Sequence, residues 1–91
     1  MAKPNLTGAG VRLPWAREQL RIALEILDNP GGGLVFGYQA IGQVRAHLEE
    51  TDAERWEPVI RLLHDAEQHA VRRDFGPAQE KIREALRQLE G

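Results

Sequence analysis

Residues 51–90 read TDAERWEPVIRLLHDAEQHAVRRDFGPAQEKIREALRQLE. The segment holds two apolar stripes at helical spacing, joined by a short polar link. Trp56, Val59, Leu63, Ala66 and Ala70 recur at heptad-like intervals, and Ile60 and Leu62 widen their face. Phe75, Ala78, Ile82, Ala85, Leu86 and Leu89 form the second stripe. Opposite it lie Glu80, Lys81, Arg83, Glu84, Arg87 and Gln88, with Glu80–Arg83 and Glu84–Arg87 placed at i,i+3. Asp74 is the expected cap of this last helix, whose first turn tolerates Gly76 and Pro77. The link at Arg73-Asp74 is so short that the two helices are expected to form an antiparallel hairpin. Thr51-Asp52-Ala53-Glu54 has the capping-box pattern, so helix three is expected to begin there. Pro58 then falls early in it and is expected to kink the axis or to restart the helix near Glu57.

Toward the N-terminus, Pro14 suits a first helical turn, because its missing N–H has no partner there. Trp15, Ala16, Leu20, Ile22, Ala23, Leu24, Ile26 and Leu27 follow, and Glu18, Arg21, Glu25 and Asp28 leave one narrow wet stripe. A helix that apolar calls for contacts on two sides. Asn29-Pro30 ends it, and Gly31-Gly32-Gly33 reads as a flexible connector. Helix two is expected over about 34–50, with Tyr38, Ile41, Val44 or Arg45, and Leu48 along one side. Gly37 and Gly42 each cost about 1 kcal/mol relative to Ala in a helix interior, and such glycines mark a close backbone approach. A helix beginning only near Tyr38, or a short strand over 33–38, is the alternative reading of this entry.

The predicted fold is therefore all-α: an antiparallel four-helix bundle with helices over about 14–28, 35–50, 52–72 and 75–90. Residues 1–12 read as a flexible N-terminal arm and 13–91 as a single helical domain. The surplus apolar face of helix one suggests completion by dimerisation, as a symmetric homodimer in which helices one and two of each copy meet. The segment Arg73-Asp74-Phe75-Gly76-Pro77-Ala78, with Ala85-Leu86 after it, resembles the second helix of tetratricopeptide-type hairpins. The likeness covers one helix, and no second copy follows at a fixed period, so no family is named on it.

Composition bounds the possible chemistry. Ninety-one residues allow one domain, and the absence of cysteine excludes a disulfide scaffold, a thiolate zinc site and a thiol nucleophile. Twelve basic and 14 acidic residues give a net charge of -2, which disfavours a general attraction to nucleic acid or to a membrane. Residues 31–60 are the acidic part, with Glu49, Glu50, Asp52, Glu54 and Glu57, so attraction there favours basic partners. No run reaches the roughly 18 apolar residues of a membrane span, and the start lacks a secretory pattern, so a cytoplasmic protein is expected. The sequon Asn5-Leu6-Thr7 is then a chance match.

Three constellations bear on chemistry. His64-Asp65-Ala66-Glu67-Gln68-His69 brings a metal helix to mind, but an i,i+5 spacing sets the two imidazoles about 140° apart. Asp65 and His69, at i,i+4, are the pair that shares a face, and the simpler reading has His64 bordering the core and His69 at the surface or an interface. The glycines at 31–33 lack the Lys-Ser or Lys-Thr of a phosphate loop, and a helix precedes them where a dinucleotide fold needs a strand. Thr7 and Thr51 are the only side-chain hydroxyls apart from Tyr38, which argues against a nucleophilic-hydroxyl enzyme.

The leading functional reading is a small protein-interaction or scaffold module that binds a protein partner or itself through a helical groove or dimer face. Its interface candidates are Trp15, Ile22, Ile26, Phe36, Tyr38 and Trp56. One alternative is a nucleic-acid-associated regulator using Arg61, Arg72 and Arg73, with Lys81, Arg83 and Arg87 nearby. A second is a metal-binding or enzymatic bundle, which needs Asp65, His69 or His47 to converge in a pocket. No cofactor is implied.

Overall fold

The computed structural model describes residues 10–90, and the sequon with most of the expected arm lies outside them. Among the described residues the chain is all-helical, with α1 over Leu13–Asp28, α2 over Leu34–Asp52, α3 over Glu57–Val71 and α4 over Phe75–Glu90. The helices pack as a bundle. α1 rests on α2, α2 on α3, α3 on α4, and α4 returns to α1. The two sides that the apolar circumference of helix one calls for are thus both met within the chain, by α2 and α4. No helix among the described residues is long and apolar enough to cross a membrane.

The core follows from the stripes. Leu20, Leu27, Ile41, Val44, Leu48, Val59, Leu63 and Ile82 are the largest fully enclosed side chains. Each contributes about 1.5–3 kcal/mol by leaving water. Seven of the seventeen buried hydrophobic residues are alanine, drawn from all four helices. Small side chains at these positions let the helix axes approach closely. Among the described residues no polar or charged side chain is fully buried.

One sequence expectation changes at the α2–α3 connection and another holds. The capping box does not open helix three. α2 runs on to Asp52, and the Thr51 hydroxyl donates back to the carbonyl of His47 at 2.7 Å. Asp52 instead organises a turn, with Oδ1 accepting from the Arg55 N–H at 3.4 Å and its carbonyl accepting from the Trp56 N–H at 3.1 Å. Pro58 meets one of its two expectations, since the helix restarts at Glu57. It sits in the first turn, where no backbone partner is lost. Two start signals competed within seven residues, and the proline won because only there is its geometry free of cost. At the other uncertain entry, α2 is helical from Leu34, so neither the late start nor the strand forms.

The α3–α4 turn closes as a Schellman motif. The Asp74 N–H donates to the His69 carbonyl at 2.8 Å and the Arg73 N–H to the Ala70 carbonyl at 2.9 Å. Arg73 takes the left-handed position, at φ +64, that glycine usually fills. At the α1–α2 connection the corresponding strain is avoided, since the residue at φ +48 is Gly31.

The two mid-helix glycines of α2 separate in role. A Cβ on Gly37 would lie 3.2 Å from Ile26 Cγ2, so here the backbones of α1 and α2 come close. A Cβ on Gly42 would meet only Glu67 Oε2, at an ordinary 3.8 Å. Gly42→Ala is therefore expected to stabilise the protein by up to about 1 kcal/mol. Gly37→Ala should show no such gain. Paired urea titrations check this, and equal stabilisation by both would refute the close approach at Gly37.

Candidate functional site

Ion pairs cross three of the four helix seams. Between α2 and α3, Arg45 Nε donates to Glu67 Oε2 at 2.7 Å, and the half-buried pair is extended by Glu49. The Glu67 hydrogen bond, opposed in part by burial, pushes the Arg45 guanidinium pKa further above its ordinary value. Between α3 and α4, Lys81 lies 3.9 Å from Asp65. Between α1 and α4, Arg21 pairs with Glu90 at 2.8 Å, Arg17 donates to the Leu89 carbonyl, and Gln79 to the Leu24 carbonyl.

The α1–α2 seam differs. Among the described residues no ion pair crosses it. It is held by the Ile26–Gly37 approach at one end and by an edge-to-face packing of Trp15 on His47 at the other, with ring centroids 5.3 Å apart. His47 Nε2 accepts the Arg12 backbone N–H at 3.0 Å. The Arg12 guanidinium lies over the Trp15 ring at 5.3 Å.

These contacts fix the phase of both helices. Trp15, Ile22 and Ile26 stand at i, i+7 and i+11 on α1, and Phe36, Gln43 and His47 repeat the same intervals on α2. Both rows therefore flank one seam. Phe36 remains 61 % exposed and Ile22 37 %, while Trp15 and Ile26 are half-buried. Four of the six interface candidates are brought together in this way. The row of Gln43 and His47 was not singled out for an interface, although its spacing from Phe36 was readable. Two further exposed side chains, Val35 and Val71, were also missed; they lie near the end of the bundle where the Tyr38 hydroxyl donates to the Ala70 carbonyl at 3.0 Å.

The other candidates disperse. Tyr38 is half-buried on the α2–α3 seam by that bond. Trp56 precedes α3, packed against the core with Arg55 over its ring. His64 is exposed and does not border the core, because the buried row 59–63–66–70 turns it outward, whereas His69 is half-buried with Nδ1 3.8 Å from Asp74 Oδ2. Asp65 is exposed beside Lys81, and His47 lies on a different seam. Among the described residues no three His, Asp or Glu side chains converge on a possible metal position. Arg61 pairs with Glu57 near the start of α3, while Arg72 and Arg73 follow its end, roughly 17–18 Å away at 1.5 Å per residue. The groove between α3 and α4 mixes Lys81, Arg83 and Arg87 with Glu80 and Glu84. Hydrogen bonds from Arg87 and then Gln88 hold the Glu84 carboxyl below its ordinary pKa, so it stays charged at neutral pH and cancels one of these cations.

Comparison with protein-family models, with curated proteins and with solved structures finds no match for this chain.

Proposed function

We propose that this chain is a small helical protein-interaction module and that the α1–α2 face is its binding surface, for a second copy or for another protein. The carrying observation is the contrast between seams: the one that no ion pair crosses among the described residues is the one flanked by exposed Ile22 and Phe36. Apolar and aromatic side chains with few charges are the composition of an interface centre. An antiparallel arrangement of the four helices belongs to this reading. It is supported by the pairing of Tyr38, early in α2, with Ala70, late in α3, and of Gln79, early in α4, with Leu24, late in α1. A cytoplasmic setting belongs to it as well and rests on the sequence.

The test is photo-crosslinking in the cells that express the protein, with benzoylphenylalanine at position 36 and, as a control, at position 83 on α4. Discrete adducts from position 36 and none from position 83 are expected. No adduct from position 36, or the same adducts from both, would overturn the reading.

A further inference from the structure

The charges around the α1–α2 face are one-sided. Glu18 and Glu25 stand four residues before and three residues after Ile22, so both share its patch of helix surface. Glu50 extends the Phe36 row, fourteen residues on from Phe36 and three from His47. All three are exposed, and none carries an ion pair with a described residue. Arg21, next to Ile22, is turned to α4 and held by Glu90. Among the described residues the cation left on this side is Arg12, over Trp15. An apolar centre is thus bordered mainly by free carboxylates.

A second copy fits this border poorly. Twofold docking of two such faces sets carboxylates of one copy among those of the other, and like charges across an interface are unfavourable. The exposed apolar surface is also small for a stable homodimer, which needs roughly 800 Å² per partner and a markedly hydrophobic contact. One helix suits the surface better. The Phe36–Glu50 row is about 21 Å long at 1.5 Å per residue, the length of roughly fourteen helical residues.

We infer that the α1–α2 face receives a basic amphipathic helix of another protein, whose apolar side covers Ile22 and Phe36 and whose lysines or arginines meet Glu18, Glu25 and Glu50. This rests on the interaction reading above and names the partner's chemistry. The helix-in-groove mode supplies anchors at i, i+3, i+4 and i+7 of the partner helix, and Ile22 and Phe36 are the side chains they would cover.

The probe is a synthetic fourteen-residue leucine–lysine amphipathic helix, titrated into the isotopically labelled full chain and followed by amide and indole shifts. An otherwise identical leucine–glutamate peptide is the control. Shifts at Trp15, Ile22 and Phe36 with the basic peptide alone are expected, with affinity falling as salt rises. The triple change Glu18→Gln, Glu25→Gln and Glu50→Gln should weaken binding roughly tenfold and flatten the salt dependence. These residues are exposed, so the variant keeps the fold, and its unchanged spectrum verifies that. Shifts confined to the α3–α4 groove, equal binding of the acidic peptide, or no effect of the triple change would overturn the inference. So would a two-chain mass in light scattering that Ile22→Glu abolishes, an outcome that would leave the interaction reading itself standing.

Discussion

Leu63→Ala is expected to destabilise the protein by about 3–5 kcal/mol, read as a fall in the urea midpoint at constant slope. Leu63 is fully enclosed on α3, the helix that packs on both α2 and α4. Its removal loses the transfer energy of the side chain and leaves a cavity that rigid helices only partly close. Total stability at this length is on the order of 5–14 kcal/mol, so the variant sits near the edge of folding. Val71→Ala, on the same helix but 63 % exposed, should change stability by less than about 0.5 kcal/mol. Similar effects for the two would contradict the placement of α3.

Ala66→Leu is expected to cost about 2–3 kcal/mol for the opposite reason. Ala66 is fully buried in a core where small side chains set the helix spacing. A leucine there must displace its neighbours or push a helix outward, and close-packed interiors yield little. Thermal unfolding should show a midpoint lowered by roughly 8–24 °C. An unchanged or raised midpoint would mean that unfilled volume lies beside Ala66.

Much of the helical content was legible because each stripe in α3 and α4 repeats over several turns, and the buried residues fall on the expected positions. The α2–α3 boundary was legible in part: Pro58 marked a restart near Glu57, whereas the Thr51 capping pattern pointed to an earlier start that does not form. The Thr51 hydroxyl bonds inside α2 as readily as it caps a new helix. The face of the candidate site was legible only in part. Trp15, Ile22 and Ile26 share a phase that any helical wheel gives, but their meeting with the Phe36 row depends on which flank of α1 faces α2. That is settled by the Ile26–Gly37 approach, a tertiary contact. The breadth of the apolar circumference of α1 did not say which helices cover it, and α2 and α4 do so within the chain. Glu18 and Glu25 read as a wet stripe whose spacing already borders Ile22, and the structure adds that Ile22 is exposed there.

The closed ring of helices also implies an order of assembly. Three of its seams join helices that follow one another directly, whereas α1 against α4 spans most of the chain. Loop-closure entropy is lowest for the neighbouring pairs, and topologies rich in such local contacts fold quickly. The α3–α4 pair, with its tight turn, is placed to form early, and α1 to dock late. Local opening follows the same hierarchy in reverse, so amide exchange in native conditions should reach α1 before α3. The helix that opens first then carries Trp15, Ile22 and Glu18, half of the face on which a partner would settle, and a bound partner would show itself by slowing exchange there.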